Sequence, residues 1–147
     1  MEEIVWVVNP QRDSLTDLVQ RMRRFAGETL AAKGDIELKF SGTEEQVTLD
    51  VPRRRHVYLF FKETINNIVR HSGATEVRIE ITVGGRELNL WVEDNGRGFA
   101  ESELDPHASG GNGLTGLRRR AAALGGTMRI DSRPGRGTRI TLIVPLN

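Results

Sequence analysis

Residues 63–71 read Glu-Thr-Ile-Asn-Asn-Ile-Val-Arg-His, and they form the second half of a segment that begins near Pro52. Proline suits the first turn of a helix, because the N–H that it lacks would have no partner there. The apolar side chains of this segment recur at the spacing of a single helix face. They are Val57, Tyr58, Phe61, Ile65, Ile68 and Val69. The pattern predicts a helix over residues 52–71 with one face in the core.

The opposite face of this helix is polar and carries Glu63, Asn66, Asn67, Arg70 and His71. Glu63, Asn67 and His71 are spaced four residues apart, so we expect their side chains to meet. A solvated face would explain a mixture of Glu and Arg, but two consecutive asparagines are unfavourable inside a helix, since they compete for backbone hydrogen bonds. An amide oxygen beside a carboxylate suits a hard cation that keeps most of its waters. The face is therefore a candidate cation site.

The segments around this helix alternate between helical and strand patterns. Upstream, helical spacing over residues 15–30, with Ser14 and Asp17 as a capping box and Gly34 at the end, precedes a strand over 35–40. Downstream, a Gly84-Gly85 hairpin joins strands over 76–83 and 87–93. A glycine-rich stretch over 94–113, a helix over 114–124 and strands over 127–132 and 136–144 follow. We expect an α/β two-layer sandwich, with a mixed and mostly antiparallel sheet of about five strands covered on one face by about three helices, including an extra N-terminal helix.

The composition excludes several classes of protein. The 147 residues suit one domain, and the absence of Cys excludes disulfides and thiolate chemistry. With 21 Lys+Arg against 20 Asp+Glu, the net charge of +1 provides no basic field, so we expect no direct contact with nucleic acid or a membrane surface. No apolar run approaches the roughly 18 residues of a membrane span. We therefore expect a cytoplasmic location.

Two glycine-rich segments follow the central helix. The first, Asp94-Asn-Gly96-Arg-Gly98, leaves a strand, and its carboxylate can accept a hydrogen bond from an exocyclic amine such as that of adenine. Gly96 and Gly98 would let a flat ligand approach the backbone, although a turn with an Asp cap often looks the same. The second segment, residues 110–116, precedes a helix whose N-terminal amides can bind phosphate.

The second glycine segment also matches the dinucleotide-binding pattern, because Gly111, Gly113 and Gly116 have its spacing and Asp131 lies where the ribose-binding acid would fall. The context argues against that function. No strand precedes Gly111, and too few residues follow Asp131 to complete a doubly wound sheet.

Taken together, four segments in this order resemble the ATP-binding catalytic domain of two-component sensor histidine kinases. That domain has the Bergerat fold of the superfamily shared with gyrase, heat-shock chaperone and mismatch-repair ATPases. Residues 63–71 resemble its N box, 94–99 its first glycine box and 111–117 its second, and 135–138 match the closing glycine-threonine element. The resemblance covers residues 57–145, and the Arg-bearing run over 116–126 resembles the branch whose partners are helix-turn-helix response regulators.

The resemblance implies a role for each part of these motifs. ATP would lie under a lid between the glycine boxes, with Asp94 on the adenine amine and Thr138 close by. Asn67 would coordinate a Mg²⁺ that bridges the phosphates, and Arg70 or His71 would contact them. Glu63 would orient or deprotonate the attacking histidine. Backbone amides of the second glycine box, at Gly113, Leu114, Gly116 and Leu117, would face the phosphate tail.

The phosphoacceptor histidine of such kinases has no counterpart in this sequence. His56, His71 and His107 all stand in the wrong setting, so the resemblance implies a catalytic fragment that acts on a histidine outside this segment. The resemblance implies that this histidine lies on a dimerisation helix and that a response regulator acts downstream. It also implies a homodimeric full-length protein, and it allows another segment to anchor that protein to a membrane. Residues 1–34 resemble the distal part of the dimerisation segment, and residues 35–147 form the catalytic domain.

Two other functions fit the same fold. An anti-sigma-factor-type serine kinase, essentially a switchable binding module, is disfavoured by the helix before Asp35 and by the arginines after Gly116. A degenerate domain that only scaffolds partners would be expected to lack Asn67 or Asp94, and both are present. Because three consecutive residues cannot share one helix face, we expect at least two of Arg118, Arg119 and Arg120 to be solvated, and likewise the run from Arg53 to Arg55.

Overall fold

Helices and strands follow one another in the predicted order in the computed structural model, which describes residues 14–43, 45, 47–98 and 112–146. The helices of these residues are α1 (Leu15–Lys33), α2 (Val51–His71) and α3 (Asn112–Ala123). The strands are β1 (Glu37–Ser41), β2 (Glu76–Gly84), β3 (Glu87–Asp94), β4 (Thr127–Ser132) and β5 (Thr138–Pro145). None of these helices is both long and apolar enough to cross a bilayer.

The five strands form one sheet in the order β1-β2-β3-β5-β4. β1 pairs with β2 in parallel, and the other three pairings are antiparallel, so the sheet is mixed and mostly antiparallel as predicted. Gly85 and Arg86 form the β2–β3 turn with φ values of 59° and 63°. Two positive φ values are typical of the type I′ hairpin turn. The turn lies one residue later than the predicted Gly84-Gly85.

One face of the sheet packs against the helices and forms the core. Alternate residues of the central strands are buried on this face, as in Ile79, Leu90 and Leu142. The apolar stripes of α1 and α2 belong to the same buried cluster. Helices on one face of a mixed sheet confirm the predicted α/β sandwich. The domain boundary between residues 34 and 35 stays a prediction.

The other face of the sheet carries a row of charged side chains in direct register. Arg78 stands opposite Glu93, Glu93 opposite Arg139, and Arg139 opposite Asp131. Arg139 donates from Nε to Glu93 at 3.2 Å, and its guanidinium lies 4.3 Å from the ring centroid of Trp91. Opposite charges in directly facing positions stabilise a sheet. Among the described residues this face has no helix packed against it.

Arg54 is the one buried residue of the run from Arg53 to Arg55. Its side chain is fully buried, whereas Arg55 is exposed and Arg53 lies 3.6 Å from Asp50. Arg54 precedes Val57 by three residues and therefore falls on the core-facing arc of α2. One buried arginine is compatible with the expectation that at least two of the three are solvated, since Arg55 is exposed and Arg53 is half-buried.

Candidate functional site

Asp94 is a buried carboxylate at the last position of β3. The alternation along the strand places its side chain on the helix-covered side of the sheet, with Leu90 and Val92. Its Oδ1 accepts a hydrogen bond of 2.8 Å from the backbone N–H of Gly96. Burial raises the pKa of Asp94, and the negative charge of Glu93 adds to the rise, while the Gly96 bond opposes it. A buried acceptor of this kind suits a neutral donor such as an amine.

Thr138 lies directly opposite Asp94, because the first residue of β5 pairs with the last residue of β3. Its hydroxyl is buried and lies 2.8 Å from Ser132 Oγ on β4. Gly137, with φ of 78°, brings the chain so close to β3 that a Cβ there would lie 2.0 Å from the Asp94 carbonyl oxygen. The closing glycine-threonine element therefore sits beside the Asp94 carboxylate, as predicted.

The first glycine segment packs against the C-terminal end of α2. Arg97 donates its backbone N–H to the Ser72 carbonyl at 2.9 Å, and a Cβ at Gly96 would lie 2.3 Å from the same oxygen. Gly98 has a φ of 69° and lies against the Arg133 carbonyl. These glycines are therefore required for close backbone packing around Asp94.

Asn67 lies one turn of α2 beyond Glu63, on the polar face. Its Oδ1 accepts a hydrogen bond of 3.1 Å from Arg70 Nη2, and Arg70 and His71 are exposed. Asn67 pairs with Arg70 and Glu63 with α3, while the expected contacts along Glu63, Asn67 and His71 stay a prediction. The Asn67 amide and the Arg70 cation thus form a joint polar group near the end of α2.

Glu63 contacts the helix that follows the second glycine segment. Arg120 on α3 donates from Nε to Glu63 Oε2 at 3.2 Å, and a Cβ at Gly116 would lie 2.4 Å from Oε1. The side chains of Leu114 and Leu117 are buried in the core, so they anchor α3 and leave only their backbone for a ligand. Sequence reasoning missed the pairing of Arg120, although its four-residue spacing from Gly116 places both on one face of α3. Arg118 and Arg119 are exposed, as predicted for two of the three arginines.

Helix α2 therefore contacts both glycine segments, one near Glu63 and the other at Ser72. Nine residues separate these contacts, which corresponds to about 13 Å along the helix axis. Asn67 lies between them. An elongated ligand with its flat end at Asp94 and its charged end at Gly116 would run past Asn67, which is the arrangement that the sequence motifs predict.

A metal ion at this site would need ligands from the nucleotide. Within the described ranges, no group of three or more His, Asp or Glu side chains could hold a metal ion. A single amide oxygen, Asn67 Oδ1, fits Mg²⁺, because this ion commonly keeps several waters and takes further oxygens from phosphates. The donor set on α2 is thus compatible with a Mg²⁺ that arrives with its nucleotide.

A cavity of about 480 Å³ touches Asp94, Gly137 and Thr138, but it opens on the other face of the sheet. Its remaining walls include Arg78, Glu93 and Arg139. The Asp94 side chain points to the helix-covered face, so this cavity is not the predicted nucleotide site. Neither this cavity nor the neighbouring one at residues 130–137 is lined by Asn67. The predicted lid, with Phe99, Gly110 and Gly111, lies outside the described residues, and so does the segment before Ser14.

Comparison with known proteins gives a consistent result. A profile of the family described as histidine kinase-, DNA gyrase B- and HSP90-like ATPase matches residues 52–147. The signal transduction histidine-protein kinase/phosphatase DegS of Bacillus subtilis is 30% identical over 132 residues, which cover 88% of this chain and 34% of DegS. The sensor protein VraS of Staphylococcus saprophyticus is 39% identical over 92 residues, which cover 63% of this chain and 26% of VraS.

Solved structures share the fold. The histidine kinase domain of the Erythrobacter litoralis EL346 blue-light activated histidine kinase superposes with a TM-score of 0.74 at 24% sequence identity. The match covers 88% of this chain and 61% of that one. This structural similarity supports the fold, while DegS and VraS show similarity in sequence. The chain spans about a third or less of the length of those relatives.

Proposed function

The chain belongs to the family of histidine kinase-, DNA gyrase B- and HSP90-like ATPases, and we propose that it is the ATP-binding catalytic domain of a sensor histidine kinase. In this function it transfers the γ-phosphoryl group of ATP to a histidine outside this segment, in two-component signal transduction. The observation that carries the proposal is the contact of α2 with both glycine segments, at Glu63 and at Ser72. This contact supports one shared site for the N box and the two glycine boxes.

The adenine end of the proposed site is at Asp94. Its buried carboxylate accepts a hydrogen bond from the adenine amine, and the Thr138 hydroxyl stands beside it in the adjacent strand. Gly96 and Gly98 close the loop around this carboxylate through their contacts with Ser72 and Arg133. A buried acceptor with few competing partners discriminates strongly against a base that offers a carbonyl in place of the amine.

The phosphate end of the proposed site is at the start of α3 and on α2. Asn67 holds Mg²⁺, which supplies positive charge to the transferred group, and Arg70 or His71 contacts the phosphates. The backbone amides at Gly113, Leu114, Gly116 and Leu117 face the phosphate tail with the positive end of α3 behind them. Glu63 orients or deprotonates the attacking histidine. Most of the rate effect comes from fixed charges that stabilise the transferred group.

The proposed function also implies the partners of this domain. The phosphoacceptor histidine lies on a dimerisation helix, the full-length protein is a homodimer, and a response regulator acts downstream. A longer protein with an anchor elsewhere suits this arrangement, with the catalytic domain in the cytoplasm.

Transfer in trans tests this function. The chain is incubated with γ-³²P-labelled ATP, Mg²⁺ and a separately produced helical bundle of the full-length protein that carries the proposed acceptor histidine. We expect acid-labile label on this bundle and none on the variant in which the acceptor histidine is replaced by glutamine. Nucleotide binding without any transfer would reject the kinase function. Acid-stable label on a serine of a cognate protein would instead favour the anti-sigma-factor-type serine kinase.

A further inference from the structure

The ion pair between Glu63 and Arg120 joins two helices that are 57 residues apart in the sequence. The Arg120 Nε lies 3.2 Å from Glu63 Oε2, and the two side chains are 33% and 28% exposed. Successive residues of a helix point about 100° apart, so only one of the three consecutive arginines can face α2. Arg118 and Arg119 point to solvent. Of the three consecutive arginines, Arg120 therefore contacts Glu63, and Arg118 and Arg119 do not share this contact.

Gly116 leaves space for the second oxygen of the Glu63 carboxylate. It lies four residues before Arg120, on the same face of α3. A Cβ at this position would lie 2.4 Å from Glu63 Oε1, and it would also be 3.3 Å from the carboxylate carbon. Glycine is thus required for the carboxylate to lie where it does. Arg120 thus donates to one carboxylate oxygen of Glu63, and Gly116 leaves room for the other.

We propose that Arg120 is a positioning residue for the phosphoryl-transfer reaction, which holds the Glu63 carboxylate against Gly116 and so fixes the point from which Glu63 meets the attacking histidine. The inference rests on the proposed function. A carboxylate offers about four lone-pair sites, and Arg120 uses one of them, so the ion pair leaves Glu63 able to accept a hydrogen bond or a proton. Misplacement of a reacting group by about 1 Å can cost about a hundredfold in rate.

The kinetic test compares Arg120→Gln with Arg119→Gln in the same transfer assay. The two substitutions remove the same charge from adjacent positions, and Arg119 is exposed and serves as the matched control. We expect Arg120→Gln to lower kcat by about tenfold to a hundredfold, with the Kd of ATP and the KM of the acceptor changed by less than about twofold. Arg119→Gln should change none of them by more than about twofold. Arg120→Lys should recover part of the loss, because it keeps the charge without the Nε geometry.

A double-mutant cycle separates positioning of Glu63 from direct contact with the nucleotide. If Arg120 acts through Glu63, Arg120→Gln should have no further effect on kcat in the Glu63→Gln background. An equal loss in both backgrounds, a weaker affinity for ATP, or a faster reaction on breaking the pair would each overturn the proposal. The pair is partly exposed and contributes little to folding, so the variants should remain folded.

An NMR measurement tests the contact independently of any kinase activity. The Nε–H signal of Arg120 is assigned by its loss in Arg120→Gln, and we expect it to move in Glu63→Gln. The Gly116 amide signal should move in both variants and stay in place in Arg119→Gln. Unmoved signals would overturn the positioning contact even if the chain is an active kinase. Moved signals in a chain that transfers no phosphate would reject the proposed function and retain the contact.

Discussion

Gly137 and Gly135 offer a matched pair that tests how the Asp94 end of the site is built. Both residues have a φ of 78°, so an alanine at either position is forced into the left-handed region. They differ in their surroundings. A Cβ at Gly137 would lie 2.0 Å from the Asp94 carbonyl oxygen and 3.0 Å from Asn95 Cα, whereas a Cβ at Gly135 would have nothing within 4 Å.

The expected loss of stability follows from the left-handed backbone, which both variants share, and from the close contacts, which only Gly137→Ala makes. Left-handed backbone costs an L-residue about 1–2 kcal/mol, and this applies equally to Gly135→Ala and Gly137→Ala. Gly137→Ala must in addition push the start of β5 away from the end of β3, and overpacking of this kind costs about 1–3 kcal/mol. We therefore expect a loss of about 1–2 kcal/mol in the free energy of unfolding for Gly135→Ala and about 2–5 kcal/mol for Gly137→Ala.

Urea denaturation monitored by circular dichroism measures both losses, and titration calorimetry measures the ATP affinity of each variant. Because Asp94 belongs to the displaced strand end, Gly137→Ala should also weaken ATP binding by about tenfold or more, while Gly135→Ala should leave it within about twofold. Equal losses of stability in the two variants would refute the reasoning, since the backbone conformation would then be the whole effect. Full ATP affinity in Gly137→Ala would show that the strand junction does not position Asp94.

Three further predictions concern Asp94, Asn67 and Arg54. The raised pKa of Asp94 means that the folded state binds more protons than the unfolded state, so this group favours folding at acidic pH and its contribution is lost as pH rises from the ordinary value of 3.8 through the raised pKa. Without nucleotide at neutral pH, Asp94→Asn should therefore melt at a higher temperature than wild type, and its melting temperature should depend less on pH. The same variant should bind ATP about tenfold or more weakly. A pH dependence of the melting temperature equal to that of wild type would contradict burial as the cause of the raised pKa. Asn67→Ala should lose about tenfold or more in ATP affinity with Mg²⁺ and little with EDTA, and an equal loss in both calorimetric titrations would remove the metal from Asn67. Arg54→Ala should lose about 3 kcal/mol or more in urea denaturation and the exposed Arg55→Ala less than about 0.5 kcal/mol, so similar losses would show that burial of Arg54 has no energetic consequence.

The sequence predicted the elements well because local signals agreed with the tertiary structure. The apolar spacing of α1, with Ser14 accepting the Asp17 N–H at 3.3 Å, is a pattern that the chain satisfies locally. The β2–β3 hairpin could be predicted because a short glycine turn joins the two strands, whereas the β1–β2 and β3–β5 pairings join segments far apart in the sequence. Several element bounds shifted by one to three positions, as at Gly85-Arg86 and at the start of β5, because cap and turn geometry is set by the partner strand.

The contacts that the sequence did not predict are long-range. The pairing of Glu63 with Arg120 joins residues on different helices, and no periodicity within either helix indicates it. Likewise, the close packing of Gly96 on the Ser72 carbonyl is a contact that the sequence does not predict, while its role toward a ligand stays a prediction. For the run from Arg53 to Arg55, the expectation that at least two residues are solvated leaves open which one is buried. The three-residue spacing from Arg54 to Val57 identifies it, because Val57 lies on the core face of α2.

A crystal structure of this chain with a non-hydrolysable ATP analogue and Mg²⁺ tests whether Asp94 and Asn67 bind opposite ends of one nucleotide. We expect the adenine amine within hydrogen-bond distance of an Asp94 carboxylate oxygen and the metal ion on Asn67 Oδ1, with the phosphates at the start of α3. A nucleotide seated on the uncovered face of the sheet among Arg78, Glu93 and Arg139, or an adenine away from Asp94, would contradict the assignment.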